Sequence, residues 1–343
     1  MIRSAVAGNI ELEAANLVQR QLIFAVIGFF VVFIVSAIDY HLWASISRPM
    51  YILTVIFLGA LTIAGQALYG SARWFDTGVI LIQPSELAKI VMILVLADFF
   101  SKNKEKIHEL QWIGRSLLLT MAIVIWILLQ PNLSTSIVII VVWFALLWAS
   151  GLRIKHLLLF GATGIILPFV SFPLLADYQQ RRILNFLFPD LTARHGDIYN
   201  IQQALITIGS GGLFGEGYGH GTQVQLRFLK VRWSDYIFSA AAQEFGFIGI
   251  VILVLLLFFV IYRCLRVARL ARDNFGALIA YGVATLIAFQ SIVNIGVNLN
   301  LMPATGLTLP FVSYGGISLL SILAGIGLVE SVILRHKALE FSQ

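Results

Sequence analysis

The sequence predicts an all-α polytopic integral membrane protein, with about nine transmembrane helices and one long loop outside the membrane. Three observations lead to this fold class. Hydrophobic residues make up 59% of the 343 residues and charged residues only 12%, against roughly 25% charged residues in an average soluble domain. Apolar stretches recur at lengths that cross about 30 Å of hydrocarbon as a helix. The basic residues concentrate in alternate connections between those stretches.

Each predicted helix is an apolar stretch between polar or turn-forming segments. The stretch near 116–130 is short for a span, and the one near 78–100 is interrupted by Pro84 and carries charge. With nine spans, the two ends of the chain lie on opposite sides of the membrane. The nine stretches lie near residues 21–38, 50–69, 78–100, 116–130, 133–150, 156–175, 236–262, 276–299 and 313–334.

The distribution of lysine and arginine predicts the orientation, because cytoplasmic connections are enriched in these residues. One set of alternate connections and the C-terminal tail carries Arg48, Lys102, Lys104, Lys106, Arg115, Arg153, Lys155, Arg263, Arg266, Arg269, Arg272, Arg335 and Lys337. This set is assigned to the cytoplasm, so the C-terminus lies inside and the N-terminus outside. The positive charge is then mostly an orientation signal, and nucleic acid is not expected as a partner despite the pI near 9.5.

The predicted outer loop, residues 176–235, has the composition of a folded segment. Loops of this length without regular structure are usually functional or disordered. Its stretch 198–208 has the pattern of an amphipathic or re-entrant helix. A glycine cluster between 209 and 221 permits tight turns or a close approach to a ligand. We interpret residues 1–343 as a single membrane domain that contains this loop.

Polar residues inside predicted spans are costly and therefore mark candidate functional sites. In LIQPSELAKIVM, Glu86 and Lys89 are three residues apart and share one face of a helix that begins after Pro84. Two interpretations stay open for this pair. It is either a neutralising internal ion pair or part of a polar cavity in which Lys89 meets an anionic ligand. Asp98, near the cytoplasmic end of the same span, is interpreted as structural.

The run VRWSDYIFSAAAQEFGF places Asp235 at the start of a predicted span, where the outer loop ends. Ser234 as N-cap and an acid in the first turn are ordinary features of a helix start, because the helix dipole favours negative charge there. Glu244, nine residues further on, is interpreted as a packing or network residue. The local pattern therefore leaves Asp235 open between a helix-start residue and a functional one.

Other polar features support packing. Asn294 and Asn298 are four residues apart on one helix face, where interhelical hydrogen bonds form. Segment 301–316, LMPATGLTLPFVSYGG, is too apolar for a solvated loop and is predicted to lie at membrane depth. Asn132 can cap the helix that follows it. The six histidines show no HExxH or paired-cysteine spacing, so a permanent metal site is not predicted.

These motifs together resemble the RodA/FtsW/SpoVE family, the SEDS proteins, and the stretch GTQVQLRFLKVR favours the RodA branch. The resemblance covers about residues 17–335, in the family's order. It implies a peptidoglycan glycosyltransferase that polymerises lipid II outside the cytoplasmic membrane. The motifs are RWFDTGVILIQPSELAK (73–89), QPNLSTSI (130–137), IYNIQQALITIGSGGLFGEGYGHGTQ (198–223), DYIFSAAAQEFGFIG (235–249) and PATGLTLPFVSYGG (303–316).

The resemblance implies that Asp235 is the catalytic base of an inverting transfer, in which the acceptor hydroxyl is deprotonated as undecaprenyl diphosphate leaves. The diphosphate requires positive charge, for which the candidates are Lys89, oriented by Glu86, and Arg73, Arg181 and Arg182. Residues expected to support the cavity or loop are Gln202, Ser234, Glu244, Asn294, Asn298, Ser313 and Tyr314. No cofactor is expected to bind tightly, although a loosely held divalent cation, Mg²⁺ or Mn²⁺, is compatible with a carboxylate beside a diphosphate.

The resemblance also implies a bacterial cytoplasmic membrane protein that works on lipid II and the growing glycan strand. Its expected protein partners are a class B penicillin-binding protein and other elongasome or divisome membrane proteins. The chain departs from the family at Asn132, usually Asp, at Trp233–Ser234, usually His-Thr, and at Gln243, usually Glu. Family members usually have ten spans, and this chain begins where a first span would be ending.

Two other functions stay open from the sequence. One is a transporter of lipid-linked cell-wall precursors, because broken helices and charges near the bilayer midplane are also typical of transporters. The other is a non-catalytic scaffold that activates a partner synthase.

Overall fold

The computed structural model describes residues 11–69, 75–76, 81–106, 109–156, 172–189 and 196–336, with isolated positions in 1–10 and 160–170. The described residues are mostly helical, which confirms the predicted fold class. They also contain one small antiparallel pair of strands, β1 (Phe75–Asp76) and β2 (Leu81–Ile82), in which Phe75 pairs with Ile82. Two compact units are formed from non-contiguous parts of the chain.

The first unit comprises Arg20–Gly151, Leu257–Phe289 and Gly315–Gln343. At its centre, α3 packs against α2, α5 and α11. Buried residues lie all round α3, so its sequence lacks the one-sided pattern of a surface helix. The helices that lie wholly or mainly in this unit are α1 (Glu11–Ala37), α2 (Tyr40–Tyr69), α3 (Pro84–Lys102), α4 (Leu110–Leu129), α5 (Leu133–Ala149) and α11 (Gly316–Leu334).

The second unit comprises Met1–Gln19, Leu152–Leu256 and Gln290–Tyr314. It contains most of the predicted outer loop, which folds into three helices rather than one. The helix predicted at 198–208 is confirmed as α7. The elements are α6 (Asp177–Leu187), α7 (Asp197–Ser210) and α8 (Thr222–Gln225), followed by α9 (Ile237–Leu270) and α10 (Asn274–Asn298), which both units share.

Helix α9 is interrupted at Gly246, whose φ of 67° and ψ of −170° are not helical. The glycine-rich loop of residues 211–217 lies against this interruption. Phe247 N–H donates to Gly212 O at 2.9 Å, and Gly217 N–H donates to Glu244 O at 3.1 Å. A Cβ atom at Gly215 would collide with the carbonyl oxygen of Glu244. The predicted close approach of glycine backbone is thus an approach to a helix of the same chain.

Most predicted spans coincide with helices, but several boundaries differ: α1, α2 and α9 each extend eight to ten residues beyond the predicted stretch. The predicted start of the stretch near 78–100 is too early. Its helix begins at Pro84 with Gln83 as N-cap, because β2 occupies the preceding residues. The stretch near 116–130 extends back to Leu110, which gives it 20 residues.

Within the described ranges, six helices have the length and composition to cross a membrane: Leu17–Ala37, Tyr40–Ile63, Leu110–Leu129, Ile237–Leu270, Asn274–Asn298 and Gly316–Leu334. Helix α5 is also apolar, but with 17 residues it is shorter than these six helices. The predicted span at 156–175 lies mostly outside the described residues.

Candidate active site

Asp235 lies in a turn just before α9, which begins at Ile237, and it is partly exposed. The prediction that Ser234 is the N-cap is therefore wrong, since Tyr236 takes that position. The reason is tertiary: Tyr314 N–H donates to Trp233 O at 2.8 Å and holds this segment outside the helix. The Ser234 hydroxyl instead donates to Asp235 Oδ1 at 3.0 Å.

Two asparagines hold the main chain of Asp235. Asn294 Nδ2 and Asn298 Nδ2 each donate to the Asp235 carbonyl oxygen at 3.0 Å. Asn298 Oδ1 also accepts from the Ser239 amide at 3.1 Å and from its hydroxyl at 2.6 Å. Both asparagines are buried. The predicted hydrogen bonding from this helix face is confirmed, and it acts on the residue that carries the candidate base.

The apolar segment 301–316 forms another side of this site. Ser313 Oγ donates to Ser234 O at 2.7 Å and accepts from Leu309 N at 2.8 Å. Gly306 has a φ of +74°, and a Cβ atom there would lie 3.8 Å from Asp235 Oδ2. Ser234, Asn294, Asn298, Ser313 and Tyr314 therefore lie together around Asp235, as the sequence grouped them.

A second network, centred on Gln243, ties α9 to the outer loop. Its Nε2 donates to Ser210 Oγ at 3.0 Å, to Glu216 Oε1 at 2.9 Å and to Thr222 Oγ1 at 3.2 Å. Burial raises the pKa of Glu216, but the hydrogen bonds from Thr222, Gln243 and Ser210 outweigh it, so that pKa is lowered.

From the sequence, Gln243 was only a departure from the family, and no pattern indicated that Glu216 would bond to it. The structure gives a reason for a glutamine at position 243. A glutamate there would place a second carboxylate about 3 Å from that of Glu216, and the two like charges would repel each other. Glu244 is 3% exposed, in keeping with the packing role predicted for it.

The chain segment that leads to Asp235 is strained and positively charged. Arg227 and Val231 have φ angles of 62° and 52°, in the left-handed region that side chains disfavour. Arg232 is 3% exposed, and its pKa is lowered first by burial and then by repulsion from Arg227. Strained backbone concentrates at functional sites, which supports the location of the site here.

In the other unit, Lys89 Nζ lies 2.7 Å from Glu86 Oε2, and the two side chains are 0% and 9% exposed. The ion pair predicted from their spacing is confirmed. Asp98 pairs with Lys102 at 2.7 Å, in keeping with a structural role. Asn132 caps α5, as predicted, by accepting from Thr135 N at 3.3 Å.

The other described residues that the sequence predicted for the site lie on α6 and α7. Arg181 is exposed and Arg182 half-buried on α6, and Gln202 is half-buried on α7. Arg73 lies outside the described residues. In the described part of the chain, no group of three or more His, Cys, Asp or Glu side chains is arranged to hold a metal ion. The divalent cation stays a prediction.

Comparison with known proteins gives one consistent result. The family model FTSW_RODA_SPOVE, described as Cell cycle protein, matches residues 1–338. Stage V sporulation protein E of Bacillus subtilis (strain 168) is 35% identical over 320 residues, which are 92% of this chain and 86% of that protein. Peptidoglycan glycosyltransferase MrdB of Escherichia coli (strain K12) is 34% identical over 331 residues, 95% of this chain and 88% of that protein.

Solved structures agree with the sequence relatives. A chain from a structure titled "Structural coordination of polymerization and crosslinking by a peptidoglycan synthase complex" matches with a TM-score of 0.80 and 30% identity, over 94% of this chain and 90% of that one. Thermus thermophilus Rod shape determining protein RodA matches with a TM-score of 0.67 and 30% identity, over 92% of this chain and 87% of that one.

Proposed function

Because this chain belongs to the FtsW/RodA/SpoVE family of cell cycle proteins and is a multi-pass membrane protein, we propose that it is a peptidoglycan glycosyltransferase that polymerises lipid II, with Asp235 as general base. The single observation that carries the assignment to Asp235 is its fixed main chain. Asn294 and Asn298 both donate to its carbonyl oxygen, and the residue is partly exposed.

The proposed reaction is one displacement at an anomeric carbon. A hydroxyl of the acceptor sugar attacks that carbon and gives its proton to the Asp235 carboxylate. The bond between the anomeric carbon and the diphosphate oxygen breaks on the opposite face, so the configuration inverts. A base positioned within hydrogen-bond reach contributes about 10²–10⁴ in rate to such a step. Ser234, which donates to Asp235 Oδ1, orients the carboxylate.

The leaving diphosphate needs cationic or hydrogen-bonding groups. Arg227 and Arg232 precede Asp235 in the chain, and the pKa of Arg232 is lowered first by burial and then by repulsion from Arg227. A bound anion would relieve that repulsion. We assign these two guanidinium groups to the diphosphate together with Arg181, Arg182, Arg73 and Lys89. Because Lys89 and Arg232 are both buried, each contributes to the electrostatic potential and not through an exposed cationic group.

The polyprenyl tail requires an apolar surface at membrane depth. The unit built around α3 has a groove of about 480 Å³ with almost entirely apolar walls, which include Leu53, Phe57, Leu87 and Leu94. We assign the tail to this groove. The distribution of basic residues supports a cytoplasmic C-terminus and an outward-facing Asp235. A class B penicillin-binding protein is the proposed partner, because the relative with TM-score 0.80 comes from a structure of a synthase complex that polymerises and crosslinks.

The test is polymer formation from purified lipid II by the full chain, alone and with its cognate transpeptidase. Asp235→Asn keeps the shape of the side chain and removes the base, so polymer formation should fall about 10²–10⁴-fold. Asp98→Asn is the matched control, because that acid pairs with Lys102 outside the site, and it should keep wild-type activity.

Two outcomes would overturn the proposal. Activity of Asp235→Asn close to wild type would remove Asp235 from the chemistry. Absence of polymer from the wild-type chain with every partner, together with lipid II scrambling in vesicles, would establish a transporter instead.

A further inference from the structure

A cavity of about 590 Å³ lies at the opposite end of α3 from the Glu86–Lys89 pair. The C-terminal ends of α3, α5 and α9 border it, together with the N-terminal end of α10. Its volume is within the range of about 300–1,000 Å³ that small ligands occupy. Nothing in the proposed polymerisation reaction uses this cavity.

Its polar lining is cationic. Lys104 and Arg269 both line the cavity, and none of the described residues that line it is acidic. Lys104 Nζ donates to Asn274 Oδ1 at 3.3 Å, which engages the amide oxygen and leaves the amide NH₂ group as a donor. The Ser150 hydroxyl also lines the cavity, but it already donates to Leu146 O at 2.7 Å. The available donors are therefore two cations and the Asn274 amide, and such groups bind phosphate oxygens.

The rest of the lining is typical of a membrane interface. Trp148, which is 49% exposed, and Tyr281 carry the amphipathic rings found at the level of lipid headgroups. Leu265 and Leu278 give an apolar floor for the glycerol and upper acyl region. Lys102 ends α3 beside the cavity, and the connections 103–109 and 271–273 carry Lys106 and Arg272 together with the acids Glu105, Glu109 and Asp273. The distribution of lysine and arginine assigns this end of the helices to the cytoplasmic leaflet, where anionic lipids concentrate.

We propose that this cavity binds the phosphate of an anionic phospholipid headgroup from the cytoplasmic leaflet. Lys104 and Arg269 contact the phosphate oxygens, Asn274 donates to its ester oxygens or to the glycerol, and Trp148 borders the headgroup. The proposal does not rest on the polymerase assignment, and binding can be measured without any activity assay.

The test measures binding of short-chain phosphatidylglycerol to the full chain in phosphatidylcholine nanodiscs by native mass spectrometry. Removal of one cation from an anionic headgroup site weakens binding about fivefold, so Lys104→Ala/Arg269→Ala should weaken it about 25-fold. Arg266→Ala is the matched control. It removes the same charge from the same helix three residues away, does not line the cavity, and should change the affinity less than about twofold.

Lys104→Arg/Arg269→Lys keeps both charges and should retain the affinity within a few-fold, even if the alanine variant folds poorly. Three results would overturn the proposal: equal weakening by Arg266→Ala, equal affinity for phosphatidylcholine, or full competition by inorganic phosphate at the same concentration as the lipid. The last would show a site for free phosphate and not for a lipid.

Discussion

Two acidic residues at helix starts are held in opposite ways. Glu86, in the first turn of α3, pairs at 2.7 Å with Lys89 of its own helix, and both side chains are nearly fully buried. Asp235, just before α9, is partly exposed, and its carbonyl oxygen accepts bonds from two asparagines of α10. One arrangement neutralises a charge inside the protein. The other fixes a main chain so that a carboxylate is presented at a set position.

Burial and charge alone therefore do not identify a reactive acid. The Glu86–Lys89 pair satisfies itself within one turn, so its removal should act on stability. In the Asp235 cluster, α10 and the 301–316 segment together hold the main chain of residues 233–235, so removal of these bonds should act on activity. Each of the following variants tests that contrast.

The largest effect is expected on the stability of the unit around α3. Lys89→Met leaves Glu86 buried without its cation and should lower the free energy of unfolding by about 3–5 kcal/mol, as for other broken buried pairs. The double variant Glu86→Gln/Lys89→Met should recover most of this loss, since no charge remains. Chemical denaturation in detergent measures both.

Lys155→Ala is the control for this pair, because it removes a lysine from an exposed position and should change stability by less than about 1 kcal/mol. Wild-type stability of Lys89→Met combined with lost polymerisation would contradict a stabilising role for the pair.

The next effect is expected on catalysis. Asn298→Leu removes the bonds to Asp235 O and to Ser239, so the carboxylate loses its set position. The kcat for polymerisation should fall about 100-fold, because small displacements of a catalytic group have effects of that size. The KM for lipid II should stay nearly constant.

Asn103→Leu is the matched control. Its amide bonds only within the end of α3, to Phe99 O at 2.8 Å. A rise in KM for lipid II with unchanged kcat in Asn298→Leu would contradict a positioning role.

A smaller effect is expected from the glycine loop that packs on α9. Gly215→Ala introduces a Cβ atom at a φ of +81° into contact with the Glu244 carbonyl, and should lower the unfolding free energy by about 1–3 kcal/mol. Gly219→Ala has a similar φ of +77° but open space around it, so it should lose only the backbone part. Equal losses would show that the contact is not tight.

The smallest effect is a pH dependence of the Gln243 network. The pKa of Glu216 is lowered in the folded state, so its carboxylate contributes stability above its unfolded pKa of about 4.3, and this contribution is lost as pH falls through the lower folded value. Glu216→Gln should therefore reduce the fall in melting temperature between about pH 5 and pH 3. An unchanged pH profile would contradict the network.

Local spacing was enough to predict several features. Residues three apart on a helix meet, so Glu86 and Lys89 had to pair once Pro84 began the helix. An asparagine before an apolar helix caps it, as Asn132 does for α5. Apolar length and the amphipathic pattern located most spans and helix α7. These features depend on neighbours within one or two turns.

Three features depended on residues far apart in the chain. Helix α9 starts after Ser234, and the main chain at residues 233 and 234 bonds to the 301–316 segment instead. The role of Gln243 follows from Glu216, which lies 27 residues earlier. The cationic cavity forms only where the ends of four helices come together. No local sequence pattern predicts which distant residues will be in contact.

Composition and hydropathy were enough to predict a membrane protein, the order of its helices and the polar residues inside its spans. They were enough because the free energy of transfer between water and hydrocarbon depends on each side chain by itself. The tertiary structure decided which of those residues satisfy one another and which are presented for chemistry. A buried polar group must find a partner, and only the folded chain sets which partner is within 3 Å. At Asp235, it placed two asparagine side chains against the carbonyl oxygen of a partly exposed residue.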